Sequence, residues 1–257
     1  MTPAPDPTVV LAPPPDGDGL PEARIKESPR FLTKQQAAFY ETFGFVVVRG
    51  AFRRDIAAIA EAFDDAFRRE PNPIVMAADN SYHRTDDPAF QEQSRLIIPG
   101  IVDRTPGLRW LRDDKRVLGI VRSVLGNRVA WAESDGNLFN CNVFWHIDAF
   151  GAPIEQAHVK LYFYLDPLEA SSGALRVVPG TNDLVGPYAS KLRQVLADID
   201  GVPDQLGIPI EELPSWTLEV QPGDVVVGNF RTVHGSFNGG VGRRLFTMNY
   251  RQRDPGE

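Results

Sequence analysis

The sequence has a single cysteine, Cys141, among 257 residues. One cysteine excludes an internal disulfide framework and fits a reducing compartment. The longest apolar runs, such as Phe45 to Val48, are far too short to cross a bilayer. The N-terminus has no basic segment followed by an apolar one, so we expect no signal peptide. These absences predict a cytoplasmic protein.

Clusters of positive charge are also missing. The chain has 27 Lys and Arg residues against 34 Asp and Glu residues, a net charge of −7, and its basic residues form nothing longer than pairs such as Arg243–Arg244. Proteins that bind nucleic acid usually present a basic patch. We therefore exclude nucleic acid and anionic membrane surfaces as partners and expect a small-molecule substrate. The composition does not indicate an oligomeric state.

Residues 1–30 differ in composition from the rest of the chain. Eight of the 22 prolines fall in this segment, including three in succession at Pro13-Pro14-Pro15. Proline without a repeat blocks both helix formation and strand pairing. We predict a flexible proline-rich tail over 1–30, followed by a single domain over 31–257.

Apolar residues at the helical period predict helices in the first half of the domain. Thr33 and Gln36 form a capping-box pattern, and Gly44 ends the first helix. Helices are predicted over about 33–43, 55–69 and 114–125, and a short strand over 45–48 follows the first of them.

Short strand-like runs separated by turn signals dominate the second half. The predicted strands cover residues 128–132, 138–144, 159–165, 174–178, 217–220, 224–228 and 245–250. Turns are predicted at Asp135-Gly136, Pro179-Gly180 and Pro222-Gly223-Asp224. Helices followed by strands predict one α+β domain with a β-barrel or β-sandwich core.

One long segment, residues 182–216, interrupts these strands. It contains a predicted helix over 188–199, with an apolar stripe from Leu192 to Ile199. Connections of this length in a compact domain are often functional. We expect the segment to bury its apolar stripe over the open end of the barrel and to act as a lid over the substrate entrance.

Two of the four histidines stand in a metal-ligand pattern. His146 and Asp148 lie two residues apart after a strand-like run, so an extended backbone directs both side chains to the same face. His234 follows the strand predicted over 224–228 and supplies a third ligand. Two histidines and one carboxylate suit Fe(II) with open positions, and zinc with a bound water accepts the same set.

Two arginines follow the distal histidine at the start of the last predicted strand. A guanidinium pairs with a carboxylate in a planar fork, so a buried arginine beside the metal predicts a carboxylate co-substrate. Alternation groups Arg243 with Thr247 and Asn249, and it groups Arg244 with the bulky Phe246 on the other face. The first face is the more polar one, as expected for a face that lines a site. We favour Arg243 and leave Arg244 open.

Several short segments along the domain form a further pattern. They are 32–36 (LTKQQ), 44–50 (GFVVVRG), 144–148 (FWHID), 163–167 (FYLDP), 173–180 (GALRVVPG) and 221–224 (QPGD). In this order and spacing they resemble the phytanoyl-CoA dioxygenase-like family of Fe(II)/2-oxoglutarate-dependent oxygenases. The resemblance covers nearly the whole domain.

The resemblance implies a double-stranded β-helix, or jelly-roll barrel, with helices of the N-terminal half packed on one sheet and iron at the open end. It implies His146, Asp148 and His234 as the iron ligands. It also implies that 2-oxoglutarate chelates the iron, that O2 is consumed, and that Arg243 or Arg244 pairs with the far carboxylate while Ser236 helps to hold it. Related halogenases lack the carboxylate, so we expect no halogenation.

The resulting expectation is an Fe(II)/2-oxoglutarate-dependent dioxygenase that oxidises a small organic substrate, such as a secondary metabolite, and releases succinate and CO2. Hydroxylation, desaturation, cyclisation and epimerisation stay open, because metal ligands alone do not choose among them. One alternative is a catalytically silent metal-binding barrel that acts as a sensor or binding module. Another is a zinc-dependent hydrolase or isomerase, which a buried arginine argues against because an unpaired buried charge is costly.

Other residues have less specific patterns. Lys160 and Tyr162 share the inward face of a predicted strand and could contact the co-substrate. His158 fits a structural role better than a fourth ligand, and His83 fits a surface loop. An aromatic substrate wall is a further hypothesis, for Phe139, Trp145, Phe150 and Trp216.

Overall fold

The structure, a computed structural model, describes residues 31–77, 81–83, 88–148, 156–196 and 212–253. The predicted tail over 1–30 lies outside these residues. The α-helices of the described chain are α1 (Lys34–Phe43), α2 (Ile56–Arg69), α3 (Pro88–Gln91), α4 (Ile101–Arg104), α5 (Pro106–Arg109), α6 (Lys115–Leu125) and α7 (Pro187–Leu196). The strands are β1 (Phe45–Val48), β2 (Ile74–Met76), β3 (Tyr82–His83), β4 (Arg95–Pro99), β5 (Val129–Phe139), β6 (Val143–His146), β7 (His158–Tyr164), β8 (Leu175–Val177), β9 (Trp216–Leu218), β10 (Val225–Asn229), β11 (His234–Ser236) and β12 (Arg243–Gln252).

Local sequence signals set the first elements, as predicted. The Thr33 hydroxyl accepts a hydrogen bond from the backbone N–H of Gln36 at 3.1 Å, and the Gln36 side chain accepts one from the N–H of Thr33 at 2.9 Å. Gly44 ends α1 with a φ of 84°, which glycine adopts without strain. β1 follows at once and is buried along its whole length.

The strands form two sheets in which neighbouring strands run antiparallel. The larger sheet has the order β1-β10-β7-β12-β5-β4-β2-β3, and the smaller has the order β6-β11-β8-β9. Helix α1 contacts β1 and β10, and helix α6 contacts β5, β7 and β12. These five strands all belong to the larger sheet, so α1 and α6 both pack against that sheet.

The turn predicted at Asp135-Gly136 is wrong. β5 continues through both residues as one strand, so the predicted strands over 128–132 and 138–144 are not separated there. A Cβ at Gly136 would overlap the side chain of Ile101 and crowd that of Phe67. Glycine at this position therefore permits close packing of helices on the strand rather than a change of direction.

The apolar face of α7 is described at Leu192. This residue is buried in a cluster that also contains Trp145 and Phe237, and none of these three residues lines the cavity described below. Residues 197–211 lie outside the described residues, and the lid over the substrate entrance remains a prediction.

Among the helices that the structure describes, none has the length and apolar character needed to span a membrane.

Candidate metal and co-substrate site

A cavity of about 410 Å³ lies between the two sheets. The larger sheet contributes residues of β5, β7 and β12 to its lining, and the smaller sheet contributes residues of β6, β8 and β11. All six residues predicted for the metal and co-substrate sites are among the residues that line it: His146, Asp148, His234, Ser236, Arg243 and Arg244.

The predicted metal ligands converge at one point of the cavity. His146 ends β6 and pairs directly with His234, the first residue of β11. Asp148 follows β6, where its backbone N–H donates to the carbonyl of Phe230 at 2.8 Å. One potential ligand atom from each of the three residues lies within 4.8 Å of the others. Two strand ends and one bend therefore assemble a His-Asp-His donor set.

Backbone carbonyls fix the orientation of both imidazole rings. Nδ1 of His146 lies 2.8 Å from the carbonyl of Phe144, and Nδ1 of His234 lies 2.9 Å from the carbonyl of Thr232. A carbonyl only accepts, so each Nδ1 carries the proton and the ring lone pair lies on each Nε2. The two Nε2 atoms lie 3.9 and 3.4 Å from the Asp148 oxygens.

Burial keeps both rings neutral. It lowers the pKa of His146 to about 3, with His234 adding to the effect. Burial also lowers the pKa of His234, although Asp148 opposes the shift. A neutral imidazole is the form that binds a metal ion, so both Nε2 atoms are available as donors at neutral pH.

Two side chains of β7 hold the Asp148 carboxylate. Lys160 Nζ lies 2.7 Å from one oxygen, and the Tyr162 hydroxyl donates to the other at 2.7 Å. Burial alone would raise the pKa of Asp148, but Lys160 and the two histidines lower it below its ordinary value. The carboxylate is thus ionised and oriented without a metal ion. Gly228 makes room for this contact, because a Cβ there would lie 2.9 Å from the Tyr162 ring.

Arg243 lies in the cavity as a buried cation. Its guanidinium donates to the carbonyls of Gly173, Gly240 and Cys141 at 3.0, 3.1 and 2.6 Å, and to the hydroxyl of Ser236 at 2.7 Å. Within the described chain it forms no ion pair with a carboxylate. Burial lowers its pKa because the charge is poorly solvated. The positive charge of Arg243 is therefore not balanced by a carboxylate of the described chain.

Glycines shape the space around this guanidinium. A Cβ at Gly173 or at Gly239 would overlap the Arg243 side chain. Gly240, by contrast, has open space where a Cβ would be. These contacts are not predicted from the sequence, in which only the adjacent Gly239-Gly240 pair indicates a close approach.

Arg244 borders the cavity, but its side chain points to the other face of β12, as alternation predicts. Its guanidinium binds Asp166 at 2.6 Å and Asp64 at 2.8 Å. These carboxylates neutralise its charge. Of the two candidate arginines, only Arg243 combines burial in the cavity with the lack of a carboxylate partner in the described residues.

The remaining predicted residues divide between the cavity and the core. Lys160, Tyr162, His158 and Phe139 line the cavity, and His158 Nδ1 lies 3.2 Å from the carbonyl of Gln156. The aromatic wall is wrong for Trp145 and Trp216, because Trp145 packs on Phe237 outside the cavity. Trp216 packs against rings of α1 and β1. His83 lies in β3, and Phe150 lies outside the described residues.

Solved structures share this fold. The chain is similar to the non-heme alpha ketoglutarate dependent carbocyclase SnoK from nogalamycin biosynthesis, with 20% identity, a TM-score of 0.64 and coverage of 87% of this chain and 85% of SnoK. It is also similar to HygX from Streptomyces hygroscopicus with nickel and 2-oxoglutarate bound, with 17% identity, a TM-score of 0.61 and coverage of 86% and 87%. EctD from S. alaskensis gives 20% identity, a TM-score of 0.59 and coverage of 86% and 77%.

Sequence comparison assigns the family. A search of curated protein sequences finds no match to the chain. The model of the phytanoyl-CoA dioxygenase (PhyH) family matches residues 40–244, which is most of the chain and includes the His-Asp-His cluster. The chain belongs to the phytanoyl-CoA dioxygenase (PhyH) family.

Proposed function

We propose that this chain is an Fe(II)- and 2-oxoglutarate-dependent oxygenase that oxidises a small organic substrate. His146, Asp148 and His234 bind the iron, and Arg243 pairs with the far carboxylate of 2-oxoglutarate. One observation carries the proposal: a His-Asp-His donor set and a buried guanidinium without a carboxylate partner in the described chain share one cavity.

The donor set suits Fe(II). Two neutral imidazoles and one ionised carboxylate are the ligand types of the facial triad, which leaves further coordination positions open. When bound, Fe(II) and 2-oxoglutarate together supply an oxidant made from O2, while 2-oxoglutarate is converted to succinate and CO2. Zinc would accept the same three ligands. A zinc hydrolase, however, would leave the charge of Arg243 uncompensated, and that cost favours a carboxylate co-substrate.

The chain's own residues then have distinct tasks. Lys160 and Tyr162 hold the Asp148 carboxylate, so that Asp148 does not have to be reoriented when the metal binds. Ser236 donates to the carbonyl of Gly173 at 2.8 Å and accepts from Arg243, which fixes the guanidinium in place. Tyr164 also lines this end of the cavity and offers a second donor to the co-substrate carboxylate.

We also propose that the two antiparallel sheets form a double-stranded β-helix with the metal ligands at its open end. Similar solved structures support a small-molecule substrate, among them an epimerase from nogalamycin biosynthesis and HygX with hygromycin B bound. Hydroxylation, desaturation, cyclisation and epimerisation all remain alternatives.

Turnover tests the proposal. Full-length protein loaded with Fe(II) should convert 2-oxoglutarate to succinate in the presence of O2, and should produce more than one succinate per protein. Zn(II)-loaded protein and the variants His146→Ala, Asp148→Ala and His234→Ala should produce none above background. Equal succinate formation with Zn(II), or near-normal activity in any of the three variants, would contradict the proposed function.

A further inference from the structure

A second polar group of the cavity lies apart from the metal ligands and from Arg243. Asp135 of β5 pairs with Thr247 of β12, and Thr247 pairs with Tyr162 of β7. All three side chains line the cavity. Neighbouring strands lie about 4.8 Å apart, so Asp135 is roughly 10 Å across the sheet from the tyrosine that contacts Asp148.

The Asp135 carboxylate has no polar partner in the described part of the chain. It forms no hydrogen bond or ion pair with the described residues, whereas Asp148 has both Lys160 and Tyr162. Burial raises the pKa of Asp135, although Lys160 and Arg95 oppose the shift. A half-buried carboxylate in a cavity is expected to find a donor, and the described residues do not provide one.

Thr247 supplies an independent observation. Its side chain is 2% exposed, and its hydroxyl has no hydrogen-bond partner among the described residues. Buried hydroxyls in native proteins are usually satisfied, so an unsatisfied one beside a cavity points to a ligand. Asp135 and Thr247, on neighbouring strands, therefore line the same cavity without a hydrogen-bond partner among the described residues.

The far carboxylate of the co-substrate does not explain Asp135. Arg243 pairs with Phe139, which is four residues further along β5 than Asp135. That spacing corresponds to roughly 13 Å along the strand. In addition, 2-oxoglutarate is a dianion and would be repelled by a carboxylate. The group that Asp135 binds therefore has to come from another molecule in the cavity.

We infer that Asp135 and Thr247 form a substrate-binding subsite, the Asp135 subsite, which takes a hydrogen-bond-donor group of the substrate, either an ammonium or a hydroxyl group. This inference rests on the proposed function and adds the chemical class of the substrate. A carboxylate or phosphate group is disfavoured at this position, since the subsite already carries a negative charge.

Three compounds of similar size and different head group serve as probes: cyclohexylamine, cyclohexanol and cyclohexanecarboxylate. Each is titrated into full-length protein loaded with Mn(II) and 2-oxoglutarate. Broadening of the probe's NMR signals by the paramagnetic ion then reports both its affinity and its proximity to the metal. The amine or the alcohol should bind at least ten-fold more tightly than the carboxylate, and whichever binds identifies the donor.

Variants of the subsite provide the decisive comparison. Asp135→Asn should weaken amine binding at least ten-fold and strengthen carboxylate binding, and Thr247→Val should weaken the preferred probe by a smaller factor. Glu61→Gln removes the same charge from an exposed position of α2 outside the cavity and should change each affinity less than two-fold.

The inference is overturned if neither the amine nor the alcohol binds the wild type, or if Asp135→Asn leaves all three affinities within two-fold. It is also overturned if Asp135→Asn alters only metal or 2-oxoglutarate binding, because Asp135 would then act only as a counter-charge for Lys160. Formation of the Fe(II)–2-oxoglutarate complex is measured in the same variants. If the proposed function fails, wild type itself does not form this complex. If only the subsite inference fails, wild type still forms it.

Discussion

Replacing Arg243 by alanine should weaken 2-oxoglutarate binding much more than it destabilises the fold. The guanidinium is 8% exposed and donates to three carbonyls and one hydroxyl, yet it pairs with no carboxylate of the described chain. Removing one partner of a buried charged pair costs about 3–5 kcal/mol. This loss corresponds to roughly 10²–10⁴-fold weaker binding of the co-substrate.

Calorimetric titration of 2-oxoglutarate into anaerobic Fe(II)-loaded protein measures this loss directly. Thermal unfolding adds a second readout. A ligand at 100 times its dissociation constant stabilises the native state by about 2.7 kcal/mol. Wild type should gain this stabilisation and Arg243→Ala should not. Without 2-oxoglutarate the variant should remain close to wild type in stability, because the substitution also removes an uncompensated buried charge.

Arg244→Ala is the matched control. It removes ion pairs with Asp166 and Asp64 on the opposite face of β12, which should cost about 1 kcal/mol of folding stability. Its affinity for 2-oxoglutarate should stay within two-fold of wild type. A large loss of affinity in Arg244→Ala with wild-type affinity in Arg243→Ala would refute the assignment of Arg243.

Three further predictions concern the arginine pocket, the metal-site carboxylate and the folding stability. Gly239→Ala adds a Cβ that overlaps the arginine guanidinium and should weaken 2-oxoglutarate binding at least ten-fold in calorimetry, whereas Gly240→Ala has open space and should bind normally. Tyr162→Phe removes a hydrogen bond to the metal-site carboxylate and should lower Fe(II) affinity roughly 10–100-fold; unchanged affinity in a metal-competition assay would argue against that positioning role. Asp224→Ala removes a buried carboxylate that accepts from an arginine and two backbone amides, so urea denaturation should show a loss of about 2–3 kcal/mol while co-substrate affinity is unchanged.

The sequence predicts those parts of the fold and of the site that are set by local geometry. The capping box at Thr33 and the helix end at Gly44 follow from residues within one or two turns. Alternation along β12 places Arg243 and Arg244 on opposite faces, but it does not indicate the ion pairs of Arg244 with Asp166 and Asp64. The prediction that the metal ligands cluster depends on the order of motifs along the whole domain, because a His-x-Asp pair alone is common.

The parts that sequence does not predict depend on contacts between distant residues. Gly136 reads as a turn residue, but it lies within a strand because Ile101 and Phe67 pack against it. Gly173 lies 70 residues before Arg243 and receives its hydrogen bond, and nothing in the local sequence indicates this. β2 and β4 contain short apolar runs without alternation, so the turn-bounded pattern of the other strands is missing there.

Binding of iron and 2-oxoglutarate at one site can be observed by anaerobic titration with visible absorption. Fe(II) is added to the full-length protein without O2, and 2-oxoglutarate follows. Chelation of iron by a 2-oxo acid produces a visible charge-transfer band, which succinate cannot produce. We expect a band that saturates at one 2-oxoglutarate per protein, is absent in His234→Ala, and requires much more 2-oxoglutarate in Arg243→Ala. No band in wild type, or an unchanged band in His234→Ala, would refute the proposed iron and 2-oxoglutarate site.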